Sequence, residues 1–593
     1  MALVATIMGY GNFAHIILSV TALISVIPIL WDIYQSLRHG EYGVDILAAT
    51  AIITSVLLGE VWAGIVIVVM LTGGEALEDY AEKRAKTELT ALLDRAPKKA
   101  HVLRGRKIID VAVKQVNVGD KVLIKPGEVV PVDGIIIEGT SSMDESSLTG
   151  EPLPIEKTIG EQILSGAINQ ESAITIKAQH TSEDSQYEQI IKLVKAASSS
   201  QSPFVRLADR YSIPFTIIAF VIAGAAWALS GEVIRFLEVL VVATPCPLIL
   251  GAPIAIISGM SRAAKQGIII KTGGALERLA GAKTMAFDKT GTLTMGRPVV
   301  DSIVTLNNAS RNEVLEIAAA MEQNSNHILA KAIVEKAKKE GIKLPKLKGV
   351  QEVTGQGLKA TYKSQIILVG KLSFMEQAGI APKKAIPAAV KAQTSAYIAR
   401  DNELIGVITF NDELREETRP TITRLKELGI KHLLMITGDN KTTANTIARK
   451  LGIDNVQAEC LPADKLIAME NVKNRPVAFV GDGVNDAPVL TASDVGVALG
   501  ARGSTAASES ADIVVMLDDF SKVADSVEIS KRTLFIAKQS ILIGIFISIG
   551  LMFIFATGKF KPVYGAAVQE LVDVAVIINA LRAHGSWSKN TNR

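Results

Sequence analysis

The sequence predicts a polytopic α-helical membrane domain joined to two cytoplasmic domains, one rich in β-strands and one of the α/β class. The mean hydropathy of +0.31 and the 48% of hydrophobic residues are high for a soluble protein of 593 residues. Apolar segments recur along the chain, and charged residues are nearly absent from them. Two long hydrophilic segments, 80–205 and 272–530, lie between the apolar ones, so the chain is predicted to be part membrane protein and part globular.

Seven apolar segments are candidate membrane spans, because each equals or approaches the roughly 20 residues that a helix needs to cross about 30 Å of hydrocarbon. They cover 13–31, 44–59, 61–76, 211–229, 236–257, 534–556 and 562–581. The second and third are short, and Gly59-Glu60 between them fits a tight turn. The membrane part is therefore predicted to comprise 1–79, 206–271 and 531–583, followed by a tail at 584–593.

Basic residues give the orientation of these spans. Lys83-Arg84 follows the third span, and Arg262 and Lys265 follow the fifth. Because lysine and arginine are enriched in cytoplasmic loops, both hydrophilic segments are predicted to lie in the cytoplasm, beneath a plasma membrane that holds the spans. Counting backwards puts the N-terminus outside, so we expect either a further span before it or pairing of residues 1–10 with a partly inserted segment.

Composition argues against several other classes of protein. Cys246 and Cys460 are the two cysteines, too few for a disulfide framework, and the seven histidines lack the spacing of a zinc site. No basic run interleaved with aromatic residues indicates nucleic-acid binding. No obligatory protein partner is evident, and membrane lipid is the partner that the apolar segments predict.

The first hydrophilic segment, 80–205, alternates apolar and polar residues and contains frequent turn dipeptides such as Pro126-Gly127. Alternation with a period of two is typical of half-buried strands, and glycine with proline marks the turns between them. A small β-rich domain is therefore predicted in this segment.

The second hydrophilic segment shows strands that alternate with amphipathic helices. The clearest elements are at 283–287, 433–437, 444–451 and 477–480. Their alternation predicts a doubly wound α/β sheet made from 272–297 and 411–530. Residues 298–410 interrupt the pattern and are predicted to form an inserted domain.

Asp288 begins the motif Asp288-Lys289-Thr290-Gly291-Thr292 at the end of the predicted strand 283–287. Loops at the carboxyl ends of parallel strands carry the ligand sites of such sheets. A carboxylate there can attack a γ-phosphate and store it as an acyl phosphate, with Lys289 and the hydroxyl of Thr290 as donors. An ordinary surface loop of the same composition is the simpler alternative.

Two further motifs follow predicted strands of the same sheet. Asp482 and Asp486 lie four residues apart beside a glycine-rich bend, and such carboxylates suit an Mg²⁺ ion that bridges Asp288 and phosphate. Thr437-Gly438-Asp439 follows another strand, and Lys465 comes later in the chain. A threonine hydroxyl and a lysine beside a phosphoryl group would neutralise charge during its transfer.

These motifs, in this order and with an insertion after the first, resemble those of the P-type ATPases from residue 40 onward. The resemblance implies that ATP phosphorylates Asp288 and that Asp288, Thr290, Asp482 and Asp486 hold magnesium. The α/β sheet would then be an HAD-like phosphorylation domain, and its insertion an α/β nucleotide-binding domain.

The same resemblance implies that 80–205 is the family's actuator domain. That domain carries a Thr-Gly-Glu motif, which is present here as Thr149-Gly150-Glu151. The resemblance assigns Glu151 to positioning the water that hydrolyses the acyl phosphate. An ordinary turn is the alternative for this short motif.

ATP is expected in the inserted domain, because no Walker-type G-x-x-x-x-G-K-[ST] loop occurs in the chain. Part of the segment resembles the nucleotide pattern of the heavy-metal (type IB) branch, an aromatic ring for stacking beside a glycine loop. The matching residues are Glu322, Ser325, His327, Gly355 and Gly357. Thr437, Gly438 and Asp439 are expected to face the same nucleotide. The proline that usually follows the histidine is Ile328 here, and a purely structural histidine is the alternative.

An ion site is predicted inside the membrane. Thr244-Pro245-Cys246-Pro247 lies in the fifth span, where prolines break the helix and free carbonyls that lipid cannot satisfy. The last span carries Gln569, Glu570 and Asp573, with Asp573 on one helix face with the other two. Intramembrane carboxylates are costly enough to be functional by default, so these three residues and Cys246 are the predicted ligands. A kinked helix with a buried apolar cysteine is the alternative.

The nature of the ion follows from these ligands and from the resemblance. One thiol with several oxygen ligands favours a divalent ion of intermediate hardness over copper(I). Thr-Pro-Cys-Pro with Gln-Glu-x-x-Asp resembles a subgroup linked to nickel and iron export, which places nickel or iron(II) first, zinc close behind and cobalt also in the set. Glu75 near the cytoplasmic end of the third span is expected on the uptake route, with a solvated interfacial glutamate as the alternative.

The predicted function is ATP-driven export of a divalent transition-metal cation through an aspartyl phosphate, with ATP and Mg²⁺ as cofactors. Two alternatives stay open from the sequence. One is copper(I) export, and the other is a phosphohydrolase of the same sheet family whose spans only anchor it. The broken fifth span and the intramembrane carboxylate argue against the anchored phosphohydrolase.

Overall fold

The computed structural model describes most of the chain. The described backbone covers 11–38, 46–85, 97, 99–105, 107–145, 154–185, 187–188, 191–192, 195, 205–243, 246–307, 309–323, 325, 327–345, 347, 349–353, 356–362, 365–380, 394–482, 486–500 and 505–585. Some helix side chains, 74–79 and 246–250 among them, also lie outside the description. The chain divides into two compact units. The first is Met1–Gly281, Asp512–Leu517 and Asp525–Arg593, and the second is Ala282–Ala511 and Asp518–Ala524.

The described elements follow in chain order. The helices are α1 (Gly11–Arg38), α2 (Ile46–Leu57), α3 (Val61–Ala85), α4 (Val205–Ser230), α5 (Ile234–Val241), α6 (Cys246–Lys265), α7 (Gly273–Ala280), α8 (Arg311–Glu322), α9 (Ile328–Lys339), α10 (Leu372–Gln377), α11 (Thr418–Glu427), α12 (Lys441–Leu451), α13 (Pro462–Glu470), α14 (Ala487–Ala492), α15 (Thr505–Ser510), α16 (Ser521–Ala556) and α17 (Pro562–Leu581). The strands are β1 (Lys99–Arg104), β2 (Lys107–Ala112), β3 (Lys121–Ile124), β4 (Gly134–Glu138), β5 (Ser141–Asp144), β6 (Ile155–Lys157), β7 (Gln162–Ile163), β8 (Ile168–Asn169), β9 (Ile174–Ala178), β10 (Ile268–Ile270), β11 (Thr284–Asp288), β12 (Thr294–Thr305), β13 (Gln351–Val353), β14 (Gly357–Tyr362), β15 (Gln365–Gly370), β16 (Ser395–Arg400), β17 (Glu403–Leu414), β18 (His432–Ile436), β19 (Asn455–Gln457), β20 (Val477–Gly481), β21 (Val495–Leu499) and β22 (Ile513–Val515).

Several predicted spans correspond to apolar helices. Among the described residues, four helices are long and apolar enough to cross a membrane, judged by length and composition: Asn12–Gln35, Ile213–Ser230, Ser521–Ala556 and Pro562–Leu581. The helices Ile46–Leu57 and Val61–Gly73 are apolar but shorter. Gly59 between them has a φ of 75°, so a tight turn joins α2 to α3 as predicted.

The predicted fifth span consists of two helices rather than one. Helix α5 ends at Val241 and α6 begins at Cys246, while Thr244-Pro245 lies outside the described residues. Proline lacks a backbone N–H and clashes with the preceding turn, so a continuous helix through Pro245 and Pro247 is disfavoured. The structure therefore shows the interruption that these prolines predict.

The membrane helices pack around a common apolar core. Its largest members include Ile52, Ile67, Phe215, Leu240 and Ile541. Helix α6 packs along α17, and both contact α3. Outward-facing side chains such as those of Phe546 and Leu571 are apolar as well, as expected for a surface covered by lipid.

The first hydrophilic segment is rich in β-structure, as predicted. Its six-stranded sheet has the order β2-β1-β3-β9-β4-β7, and a three-stranded sheet has the order β6-β5-β8. Neighbouring strands are antiparallel, and alternate residues such as Val122, Ile136 and Ile176 are buried. Residues 146–153, which include Thr149-Gly150-Glu151, lie outside the described part of the chain.

The second unit contains the predicted α/β sheet. Strands β21, β20, β11, β18 and β19 are parallel neighbours in that order. Strand β11 is central and buried along its whole length, and the Phe287 ring packs edge-on against the Phe520 ring at 5.7 Å between centroids. Since parallel strands end at the same edge, the loops after β11, β18 and β20 converge there.

The insertion forms a six-stranded antiparallel sheet of order β12-β17-β16-β15-β14-β13, with α8 and α9 packed on its core. Strand β12 begins at Thr294 and strand β17 ends at Leu414, so this sheet extends four residues beyond each predicted bound of the insertion, 298–410. The two strands pair from Thr294–Leu414 to Thr305–Gly406. The segment Lys289–Leu293 after β11, the predicted phosphate loop, therefore leads directly into this sheet.

Candidate functional site

Asp288 is the last residue of β11, and its side chain is buried. The chain then turns through Lys289–Leu293, where Gly291 adopts a φ of 76°. A Cβ on Gly291 would lie 2.6 Å from Asp482 Oδ2, so both the backbone angle and the neighbouring carboxylate require glycine here. The loop thus brings the predicted motif against Asp482.

Lys465 links two of the predicted carboxylates. Its Nζ donates to Asp288 Oδ1 at 2.7 Å and to Asp486 Oδ1 at 2.9 Å. Lys465 reaches this position from α13, which begins at Pro462, and Asp486 is fixed in the turn before α14. The structure therefore brings Asp288, Lys465, Asp482 and Asp486 together, as the sequence predicts.

Burial dominates the electrostatics of this cluster. Desolvation, and then the negative charge of Asp486, raise the pKa of Asp288 to about 7, against the opposing effect of Lys465. Desolvation would lower the pKa of Lys465, but the charges of Asp288 and Asp486 outweigh it and raise that pKa above its ordinary value. The lysine therefore stays charged where the carboxylates crowd one another.

The donor set fits a divalent cation such as Mg²⁺. Asp288, Asp482 and Asp486 are hard oxygen ligands, and Lys465 is hydrogen-bonded to Asp288 and to Asp486. Across the described residues no three His, Cys, Asp or Glu side chains are grouped closely enough to hold a metal ion. Lys465 is bonded to Asp288 and Asp486, so a bound cation would compete with it for these oxygens.

Other predicted residues surround the loop. Lys289 Nζ donates to Asp439 Oδ2 at 2.6 Å, and Asp439 N donates to the buried Thr437 Oγ1 at 3.1 Å. Lys289, Gly438 and Asp439 line a cavity of about 310 Å³ beside the phosphate loop. Thr290 is exposed at the rim of the loop.

Sequence reasoning missed three residues that hold this loop. Arg415 is buried and donates to the carbonyls of Gly291 at 2.9 Å and Thr294 at 3.1 Å. Thr294 donates to Asp412 Oδ2 at 2.5 Å. Asp412 and Arg415 follow the predicted domain junction at 411, and that position is the signal that could have drawn attention to them.

The predicted nucleotide residues line a second cavity, of about 200 Å³, in the inserted domain. Glu322, Ser325, His327 and Gly357 are among its lining residues, and Gly355 lies outside the described part. Burial raises the pKa of Glu322 to about 7, although Ser325 donates a hydrogen bond that opposes the shift. His327 is the N-cap of α9, and its Nδ1 accepts from Leu329 N at 3.3 Å.

A pair of glycines shapes this cavity. Gly357 and Gly370 lie opposite each other on β14 and β15. A Cβ on Gly357 would collide with Val369 O and the Gly370 backbone, and one on Gly370 would collide with Gln356 O. The absence of side chains leaves a backbone surface that a flat ligand can approach closely.

The membrane residues are brought together only in part. Gln569 and Asp573 are buried inside the bundle, at 0% and 3% exposure, whereas Glu570 is half-buried. Gln569 Nε2 donates to Ser548 Oγ at 3.5 Å, and Gln569 Oε1 and Asp573 Oδ1 have no hydrogen-bond partner among the described residues. The side chains of Cys246 and Glu75 lie outside the description, although their helices are described.

Two contacts give the register between the broken span and α17. A Cβ on Gly565 would lie 2.7 Å from Val242 Cγ1 of the segment after α5, and one on Gly251 of α6 would lie 3.0 Å from Val576 Cγ1 of α17. The order of these contacts shows that the broken span runs parallel to α17. Gln569 and Asp573 therefore occupy the stretch of α17 beside the interruption.

The architecture agrees with comparisons to known proteins. A family model for haloacid dehalogenase-like hydrolases matches residues 282–494, and one for the P-type ATPase actuator domain matches 94–195. A probable cadmium-transporting ATPase of Staphylococcus aureus (strain MRSA252) is 35% identical over 572 residues, which are 93% of this chain and 78% of that protein. The chain belongs to the heavy-metal P-type ATPases.

Further similarities show the breadth of this family. Copper-transporting ATPase 2 of Rhizobium meliloti (strain 1021) is 38% identical over 543 residues, 88% of this chain, and the chain spans 65% of that relative's length. The crystal structure of a zinc-transporting PIB-type ATPase in the E2·Pi state has a TM-score of 0.66 at 29% identity and covers 99% of this chain and 98% of that one. Heavy-metal P-type ATPases are metal-transporting ATP hydrolases with cytoplasmic catalytic domains.

Proposed function

We propose that this heavy-metal P-type ATPase exports a divalent transition-metal cation across the plasma membrane through an aspartyl phosphate at Asp288. The main support is a pair of buried oxygens, Asp573 Oδ1 and Gln569 Oε1, that have no hydrogen-bond partner in the described part of the chain and lie beside the interruption that precedes Cys246. An unpaired carboxylate oxygen in an apolar bundle is costly unless a cation or proton binds it. Cys246 would add a thiolate, and Glu570 a further oxygen at the edge of the site.

The chemistry would proceed at the end of β11. Asp288 is the nucleophile toward the γ-phosphate of ATP, and Lys465, Lys289 and Thr437 offset the charge that develops on the phosphoryl oxygens. Asp288, Thr290, Asp482 and Asp486 would hold Mg²⁺, which when bound neutralises phosphate charge. Glu151 would then orient the water that hydrolyses the aspartyl phosphate.

ATP would bind the inserted domain. The ring of His327 offers a stacking surface, Gly355 and Gly357 let the backbone approach the base, and Glu322 and Ser325 offer polar contacts. Gly438 and Asp439, on the cavity beside Lys289, would face the phosphate chain. Glu75 would lie on the uptake route from the cytoplasm.

Zinc is the first ion to test, because the similar crystal structure is that of a zinc transporter. Nickel, iron(II) and cobalt belong to the same proposal, since a site of one thiolate with carboxylate and amide oxygens suits divalent ions of intermediate hardness. Copper(I) is the second candidate, and the similarity to a copper-transporting relative favours it.

The proposal is tested by ATPase activity of the purified chain in lipid, measured with each divalent ion and with copper(I) under reducing conditions. Zinc or another divalent ion should stimulate hydrolysis, and Asp573→Ala should remove the stimulation while ATP binding persists. Asp301→Ala, the same change on the exposed face of β12, is the matched control. Activation by copper(I) that survives Asp573→Ala but is lost in Cys246→Ala would overturn the divalent assignment.

A further inference from the structure

The membrane bundle has two ends that the structure distinguishes. At one end Arg262 Nη1 donates to Gly585 O at 2.7 Å, and Arg532 Nη2 donates to Arg582 O at 3.5 Å. These hydrogen bonds bring together the end of α6, the first half of α16 and the end of α17. Because arginine is enriched on the cytoplasmic side, this end of the bundle is assigned to the cytoplasm. The connections between α4 and α5 and between α16 and α17 therefore mark the outer end.

A buried ion pair lies at the start of α5, near this outer end. Arg235 Nη1 donates to Glu238 Oε2 at 2.9 Å, and Arg235 Nη2 lies 2.6 Å from Glu232 Oε2. The residue Glu238 is only 5% exposed, whereas the Glu232 side chain is 57% exposed. The guanidinium thus connects a buried carboxylate to one at the surface.

The guanidinium also packs against the connection between α16 and α17. Gly558 in that connection has a φ of 71°, and any Cβ there would collide with the Arg235 guanidinium. The carboxylate of Glu60, in the turn between α2 and α3, is close enough to act electrostatically on Glu238. Arg235 therefore sits where the outer ends of several helices meet.

Glu238 lies on the outward side of the proposed ion site. Glu238 lies one helical turn before Val242, and Val242 contacts Gly565 on α17. From Gly565, α17 runs about 12 Å inward to Asp573. An ion that leaves Asp573 toward the outside, along the broken span, approaches Glu238 next. Glu238 is the buried carboxylate of α5 on that route.

We propose that Glu238 is a release-side site for the transported divalent cation and that Arg235 is a built-in cation that occupies it between transport events. The inference rests on the proposed function. A buried carboxylate needs a counter-charge, which Arg235 supplies in this structure. A divalent cation has twice that charge and can displace the guanidinium, which keeps its ion pair with Glu232. After the metal leaves, Arg235 returns to Glu238 and opposes rebinding from outside.

Two variants test the site in opposite directions. Glu238→Gln removes the carboxylate that would accept the ion. Zinc transport into inside-out proteoliposomes and zinc-dependent decay of the phosphoenzyme should both slow about tenfold. The phosphoenzyme should still form. Arg235→Gln removes the competitor, so zinc on the release side should inhibit the ATPase at about tenfold lower concentration than in the wild type. A salt bridge that only holds α5 in place would not produce this crossed pattern.

Glu340→Gln is the matched control, because Glu340 also pairs with an arginine, Arg311, but on the surface of the second unit. It should change neither measurement. A wild-type rate of phosphoenzyme decay in Glu238→Gln would overturn the proposal, and so would an unchanged inhibitory zinc concentration in Arg235→Gln. If Glu238→Gln does not fold, Arg235→Gln alone decides. A wild-type protein without metal-stimulated ATPase activity would instead overturn the proposed function.

Discussion

The charge of Asp288 depends on its burial and on three neighbours within hydrogen-bonding or Coulombic reach. Burial, Asp486 and Asp482 raise its pKa, and Lys465 lowers it. A carboxyl with a pKa of about 7 is protonated below that pH and ionised above it, and only the ionised form attacks phosphate. The residues around the nucleophile therefore set the pH range of the first chemical step.

Replacing Lys465 with methionine should move that range upward. Without the ammonium the pKa of Asp288 rises further, so phosphoenzyme formation, which in the wild type falls as the pH drops below 7, should begin to fall at higher pH. The measurement is the initial rate of labelling by radioactive ATP between pH 6 and 9. Lys339→Met, at an exposed lysine, is the control, and identical pH profiles for Lys465→Met and the wild type would contradict the assigned role.

Gly291→Ala tests the contact between the phosphate loop and Asp482. The positive φ costs about 1 kcal/mol for alanine, and the new Cβ would push Asp482 out of position. Labelling should decrease and the Mg²⁺ concentration for half-maximal labelling should increase about tenfold. Gly379→Ala, at a φ of 74° with open space around it, reports the backbone cost alone. Equal behaviour of the two variants would argue against the contact.

At the scale of elements, the sequence predicts the strands and helix ends that follow from apolar periodicity and from turn residues. Strands β11, β18 and β20 occur where apolar runs end in polar motifs, and the helix break occurs between Val241 and Cys246, where Pro245 and Pro247 predict it. Arg415 and Asp412 were not predicted, because their partners Gly291, Thr294 and Asp518 lie more than 100 residues away in the chain. The strand register that places Gly357 opposite Gly370 could not be predicted either, because the sequence pattern does not show which residues of two strands pair.

Gly357→Val should block the nucleotide cavity. The side chain would collide with Val369 O and with Phe374, so the affinity for a fluorescent ATP analogue should decrease at least about tenfold. Thr361→Val places the same side chain at an exposed position of the same strand and should leave binding unchanged. Unaltered affinity in Gly357→Val, with a normal melting curve, would place the nucleotide elsewhere.

At the scale of the molecule, the sequence predicted the division into membrane helices, a β-rich domain and an α/β sheet with an insertion, because each has its own pattern of apolar residues. Membrane ligands were harder to predict. Asp573 stands out in an apolar span, but the ion pair of Arg235 and Glu238 lies at a predicted span boundary, where charged residues are ordinary. Only packing reveals that Glu238 is buried.

The coupling of the β-rich domain to hydrolysis is testable through Glu151. Glu151→Gln should permit phosphorylation of Asp288 but slow the decay of the phosphoenzyme about 100-fold, because an amide cannot accept the proton of the attacking water. A pulse of labelled ATP followed by a chase with unlabelled ATP measures the decay. Gln162→Glu, on β7 of the β-rich domain, is a control for a charge-altering change. Decay of the Glu151→Gln phosphoenzyme at the wild-type rate would contradict the assigned role.

Metal-dependent phosphorylation of Asp288 is the most direct test of an ATP-driven metal pump. The purified chain in lipid should form an acid-stable, hydroxylamine-labile phosphoenzyme when zinc or another divalent ion is added, and chelation of the metal should abolish it. Asp288→Asn should remove the label entirely, and Asp573→Ala should remove its dependence on metal. Labelling that persists in a folded Asp288→Asn variant, or that is the same with and without metal in the wild type, would contradict the assignment.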